Sequence, residues 1–170
     1  MRVKRHYVRH RQYFFTLLTA GNLPYFKSQH SVDVMRAAFQ QAIRKYPFEM
    51  DAVAILPDHV HCVWTLPEGD EDTAKRWRVI KFWFSNRCDQ SLRPKGSQVW
   101  SNRFHEHPIR DENDYKHHIN FIHYDAVKHG LCKCPNEWQH SSFGRYVQMG
   151  WLEPGWGQTE PNIPEWVGYE

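Results

Sequence analysis

The run Ile55-Leu56-Pro57-Asp58-His59-Val60-His61-Cys62-Val63-Trp64-Thr65-Leu66 restricts the fold more than any other stretch of this chain. Val53 to Leu56 is apolar, Pro57-Asp58 is a turn signal, and His59 to Leu66 reads as a strand leaving that turn. Alternate strand side chains point to opposite faces, so His59 and His61 share one face. Two imidazoles side by side on a rigid strand suit a divalent metal; they suit two structural histidines equally well. Twelve His in 170 residues would yield about 0.8 His-x-His pairs by chance. A second such pair, His105-Glu106-His107, is present. Spacing alone leaves both readings open.

Around this hairpin the remaining elements fall into order. Gln12 to Thr19 is aromatic and β-branched and reads as a strand, broken by Gly21 to Pro24. Ser31 can cap a helix running to about Tyr46, with Val32, Met35, Phe39 and Ala42 at helical spacing and Pro47 beyond its end. Phe48 to Leu56 returns as a strand. After the acidic loop 67–72, a helix is predicted from Thr73 to about Asp89, with Trp77, Ile80, Phe84 and Cys88 on one face and Arg76, Lys81 and Arg87 off it. Residues 91–97 read as a loop and 99–109 as an extended aromatic segment. Asp111-Glu112-Asn113-Asp114 starts a helix that stops at Lys128-His129-Gly130. A short helix is expected near 141–149. The order predicts an α+β sandwich of ferredoxin-like type, an antiparallel sheet covered by helices. We expect one domain over 1–150 with a basic N-terminal arm, and an irregular tail over 151–170 rich in Trp, Pro and Gly, lying on the domain or on a ligand.

The net charge of +3 understates the asymmetry: Arg2, Lys4, Arg5, Arg9 and Arg11 crowd the first twelve residues, and no Lys or Arg follows Arg145. A basic arm fits phosphate contact, as does any solvated tail. No stretch has the apolar length of a membrane span, and the N-terminus lacks a signal-peptide core. Of four Cys only Cys132 and Cys134 are close, which argues against a zinc knuckle and for reduced thiols in a cytoplasmic protein.

The sequence resembles the REP-associated tyrosine transposases, a branch of the single-tyrosine HUH transposases. The matching features are Leu56-Pro57-Asp58-His59-Val60-His61-Cys62-Val63-Trp64-Thr65-Leu66-Pro67-Glu68-Gly69-Asp70, Arg76-Trp77-Arg78, Arg103-Phe104, Glu106-His107 and Asp114-Tyr115. They continue through Phe121-Ile122-His123-Tyr124, Val127-Lys128-His129-Gly130-Leu131, Trp138, Ser141-Ser142-Phe143, Arg145-Tyr146 and Gly155-Trp156. The resemblance implies an HUH fold in which His59 and His61 ligate Mg²⁺ or Mn²⁺, with a third ligand from the helix at Asp125. It implies a helix tyrosine that attacks the scissile phosphate of single-stranded DNA and forms a 5′-phosphotyrosine, on substrates bearing a REP-type hairpin. A metal would stabilise charge on the phosphate oxygens that a neutral phenol must attack.

The chain departs from that pattern where the chemistry is. The nucleophile position holds Phe121, the third-ligand position holds Asp125 in place of Asn, and Ala126 replaces Pro. Phe121 cannot form a phosphotyrosine. The leading reading is an inactivated variant of a DNA-cleaving enzyme; the alternative is a natural, non-catalytic hairpin-binding protein; a third gives the role to Tyr124, 60° round the helix, whose plainer reading is a packing residue. Candidate DNA contacts are Arg2, Lys4, Arg5, Arg9 and Arg11 on the arm and Arg76, Arg78 and Lys81 on the second helix. Trp77 and Trp83 are expected in the core, Lys128 and His129 as a helix end, and His117, His118 and His123 in structural or phosphate-facing roles. His105 and His107 are not expected to form a second metal site. We expect a monomer. A small-molecule phosphoesterase with two His-x-Thr/Ser motifs is disfavoured because a second motif is not evident.

Overall fold

A computed structural model describes residues 5–168. Four strands form one antiparallel sheet: β1 (Gln12–Thr19), β2 (Glu49–Leu56), β3 (His59–Thr65) and β4 (Trp100–Pro108), in spatial order β2-β3-β1-β4. That order, with helices α1 (Gln29–Lys45) and α2 (Thr73–Arg87) in the connections, is the ferredoxin-like arrangement expected from the sequence. Helices α3 (Glu112–Lys128) and α4 (Phe143–Gln148) follow β4. Among the described residues, no helix is long and apolar enough to cross a membrane.

β3 is the axis of the sheet, and all seven of its residues are buried. Its two faces serve different cores. Val60, Cys62 and Trp64 pack with Phe15, Leu17, α1 residues Val32, Met35 and Phe39, and α2 residues Trp77, Ile80 and Phe84. Val63 points the other way, into a second core with Phe14, Leu56, α3 residues Tyr115, Ile119, Phe121 and Ile122, and Val167 near the chain end. His59 and His61 lie on this second face. A tight turn at Pro57-Asp58 fixes the register Leu56↔His59, and slipping it by one residue would turn both histidines over.

Three sequence expectations need correction. α1 begins before Ser31: Ser28 is its cap, its hydroxyl accepting from the Ser31 amide, so Ser31 is already inside the first turn. α2 ends at Arg87, short of Asp89. Arg76, placed by its charge off the packed face and among the DNA contacts, is fully buried. Its guanidinium donates to Tyr46 O, Pro47 O, Asp72 O and both carboxylate oxygens of Asp70, at 2.8 to 3.2 Å. These acceptors satisfy the buried cation and leave it nothing to offer a phosphate. Asp70 in turn is held well below the usual carboxylate range, chiefly by Arg76.

After α4 no helix or strand occurs among the described residues. The segment nonetheless packs: Trp151 lies edge-on to Tyr146, Trp156 lies 6.1 Å from Phe143, and Val167 is fully buried.

Candidate metal centre and nucleic-acid interface

His59 opens β3 directly after the turn, and Asp58 Oδ1 accepts from its Nδ1 at 2.7 Å. The register sets Thr16 of β1 opposite His61, whose Nδ1 hydrogen-bonds Thr16 Oγ1 at 2.9 Å. With both Nδ1 atoms engaged, both Nε2 atoms are turned to α3, where Asp125 Oδ2 lies 2.9 Å from His59 and 3.1 Å from His61. Outer hydrogen bonds of this kind fix tautomer and ring orientation in metal sites. The three side chains are buried, and their ligand atoms lie within 4.8 Å of one another.

The electrostatics follow from that packing. Burial opposes charge on His59, but Asp125 and Asp58 outweigh it and hold its pKa above the ordinary value. His61 is the more enclosed ring, and burial prevails over Asp125 to lower its pKa. Burial also opposes charge on Asp125, yet His61, His129 and His59 together hold it far below the carboxylate range. The centre is thus a fixed anion facing two imidazoles that differ in their affinity for protons. Asp125 Oδ1 is buried and makes no hydrogen bond. A mixed imidazole and carboxylate set with a spare acceptor oxygen fits a divalent cation.

Phe121 lies one helical turn before Asp125, on the same face of α3. Its ring meets the His61 ring edge-on at 5.0 Å and the Phe14 ring at 6.0 Å. The side chain is buried under residues 160–168, and a methyl group built on Gly168 would overlap its Cζ. Tyr124 is half-buried on the same pocket wall, beside Pro161 and Pro164 rather than in the His59/His61/Asp125 cluster.

The comparisons with known proteins decide the family. No protein-family model matches the chain. It is 38% identical over 156 residues to a REP-associated tyrosine transposase of Escherichia coli K12, an alignment covering 90% of this chain and 88% of the relative. The chain belongs to the REP-associated tyrosine transposases. A Haemophilus influenzae relative described under the same family name is 34% identical, over 85% of this chain and 86% of its own. A solved structure of a REP-associated tyrosine transposase bound to a REP hairpin superposes with a TM-score of 0.77 at 35% identity, covering 97% of both chains.

For a REP-associated transposase, the basic residues are distributed unevenly. Arg2 and Lys4 lie outside the described residues. Arg9 and Arg78 are exposed. Arg5 is spent on Glu49 at 2.8 Å and Asp51 at 3.6 Å, and Arg11 donates to Leu66 O. Lys81 is half-buried with its ammonium 5.1 Å over the Phe104 ring, and burial lowers its pKa. The arm is therefore partly clamped to the domain. Its anchor is Asp51, a buried carboxylate accepting from Gln12 Nε2, Thr65 Oγ1 and the Tyr115 hydroxyl, and raised by burial to about 6. Nothing in the spacing of these residues announced that network.

A second trio, His107, Asp114 and His118, also converges. The His107 and His118 rings stack at 4.6 Å, and Asp114 Oδ2 takes the His107 Nε2, the Arg110 amide and the Arg110 guanidinium. Arg110 already supplies that carboxylate with a cation, and the trio braces β4 to the start of α3. His123 is a buried structural histidine bonded to Ser142 Oγ. His129, read from the sequence only as a helix end, stands with Nε2 3.3 Å from Asp125 Oδ1. Its spacing of four residues from Asp125 was the available signal.

Proposed function

We propose that this chain binds single-stranded DNA folded into a REP-type hairpin, with His59, His61 and Asp125 holding a divalent cation, Mg²⁺ or Mn²⁺, beside the bound strand. The observation that carries this reading is the meeting of these three side chains next to the ring of Phe121, at the i, i+4 spacing that the resemblance assigns to nucleophile and ligand. When bound, the cation would supply Lewis acidity to a phosphate oxygen. The chain's own residues orient it: Asp58 and Thr16 fix the imidazoles, and Asp125 contributes charge from α3. The exposed Arg9 and Arg78 meet backbone phosphates.

Phe121 has no hydroxyl, so strand transfer through a phosphotyrosine at this position does not occur in the chain as it stands. We read it first as an inactivated form of a cleaving enzyme. The second reading is a natural hairpin-binding protein, in which the Phe121 ring is a packing group covered by Gly168. A REP-hairpin oligonucleotide and a scrambled strand of equal length test the binding. Preference for the hairpin is expected; equal affinity for both would sink the reading. Phe121→Tyr, with the chain complete or ending at residue 157, tests whether the centre is otherwise competent to cleave. A metal-dependent covalent adduct identifies a cleaving centre that lacks only its phenol, whereas no adduct in either form identifies a binder.

A further inference from the structure

Helix α2 carries Lys75, Arg76, Arg78, Lys81 and Arg87 and no acidic residue. Trp77, Ile80 and Phe84 bind it to the sheet face opposite α3, far from the His59/His61/Asp125 cluster. Asp70 meets Lys75 and Arg76, and Asp72 caps the helix. Arg78, Lys81 and Arg87 make no ion pair among the described residues. Arg78 is exposed, Lys81 lies over the Phe104 ring, and the Arg87 guanidinium covers Trp83 at 3.5 Å. One turn beyond Arg78 stands Phe82, 70% exposed, whose ring meets no other ring or cation among the described residues. A single exposed aromatic is ordinary on a protein surface, but this one is set among cations with no anion to balance them. A cavity of about 440 Å³ between α2 and β4 shares Lys81 and Ser85 with the helix. Arg93, Gln98 and Asn102 also line it, and no acidic residue does.

We propose that Phe82 is a stacking platform for an unpaired base of the bound hairpin DNA, with Arg78 and the cavity holding Lys81 and Arg93 taking phosphates on either side of that base. The inference rests on the hairpin-binding reading and adds the kind of nucleotide that α2 recognises. The surface selects its occupant by charge and by shape. Cations without carboxylate partners attract a polyanion. In a base-paired stem each base is covered above and below by its neighbours. A protruding ring therefore finds a free base face only in a hairpin loop, a bulge or a single-stranded flank, and it accepts any base there, because all four have a π-face. A second copy of the chain is the poorer occupant. A two-fold contact through this face would set Arg78, Lys81 and Arg87 against their own counterparts, with no acid on α2 to separate them.

The test uses the full chain and a REP-hairpin oligonucleotide carrying 2-aminopurine at each unpaired position in turn, with a blunt duplex of the stem alone as control. Binding should change the fluorescence at one unpaired position, and Phe82→Leu should abolish that change. The same variant should weaken the hairpin about fivefold or more and leave the blunt duplex unaffected. Phe82→Trp, which keeps a flat ring, should retain both the signal and the affinity. Phe82 is exposed, so an unchanged melting temperature in each variant shows that folding is not what is read. Unchanged hairpin affinity in Phe82→Leu, an equal loss on hairpin and duplex, or a 2-aminopurine signal indifferent to residue 82 overturns the proposal. So does a concentration-dependent dimer of the DNA-free protein that Phe82→Leu dissolves, since that assigns the face to a second copy. The reading beneath is tested separately: wild-type protein that binds a scrambled strand as tightly as the hairpin sinks both. Hairpin preference kept in full by Phe82→Leu leaves that reading standing and removes only Phe82.

Discussion

Arg76 and the buried histidines show how a side chain's environment overrides its type. The Arg76 guanidinium is enclosed by five acceptor atoms and carries a structural load between α2, the loop before it and the end of α1. Arg76→Ala leaves those acceptors unpaired and should cost about 3 kcal/mol or more in urea unfolding, with hairpin affinity per folded molecule unchanged. His123 and His118 are pushed down to about 3 and about 4, in both cases first by burial. The unfolded chain takes up these two protons near pH 6.5 and the folded chain only far below it. Stability is therefore lost as pH falls through that window, at about 1.4 kcal/mol per pH unit for each histidine. Asp51 acts in the opposite sense, because its raised pKa makes the folded chain the better proton binder between about 4 and 6. The urea midpoint should still fall on acidification from pH 6.5 to 4. His123→Gln, retaining a donor toward Ser142, should flatten that fall by up to one proton; identical slopes would refute the assignment.

At the scale of elements, the contact between the tail and α3 decides what the site exposes. Residues 160–168 have no repeating hydrogen-bond pattern, yet Val167 is fully buried and Trp166 lies under the Arg110 guanidinium at 5.0 Å. Gly168 has a φ of +82°, where a side chain is strained, and a Cβ built on it would overlap the Phe121 ring. Gly168→Ala meets both penalties. It should lower stability by about 1–3 kcal/mol, or release the tail, with a change in Trp166 fluorescence. No change in melting temperature or fluorescence would show that the contact is dispensable. α3 itself is held by a cap: Asp111 accepts from the Asp114 amide, and Asp111→Ala should cost about 1 kcal/mol in thermal unfolding. That cap also orients Asp114 toward His107 and so ties α3 to β4, an edge strand.

Across the whole molecule, charge is concentrated where the fold leaves it free. Of the basic residues proposed for DNA, Arg9 and Arg78 are exposed, while Arg5 and Arg76 are held by carboxylates. Hairpin affinity should fall steeply with salt, and Arg78→Ala should lower the log–log slope by about 1 without altering preference for the hairpin. An unchanged slope would place Arg78 outside the interface.

The sequence by itself determined the elements and their order. The aromatic and β-branched run Gln12–Thr19, the strand His59–Thr65 leaving the turn at Pro57-Asp58, and helical spacing through Thr73–Arg87 and Glu112–Lys128 are local properties, and local geometry dictates them. The shared face of His59 and His61 was legible for the same reason, whereas the pairing of Phe121 with Asp125 as nucleophile and ligand positions came from the family resemblance. Only the tertiary structure decided which charges are spent and which ligands converge. His129 meets Asp125 beside His59 only once α3 lies across β3, and Arg76 is buried only because the end of α1 and the loop before α2 close over it. Contacts between residues tens of positions apart depend on how elements pack, which no spacing within one element encodes.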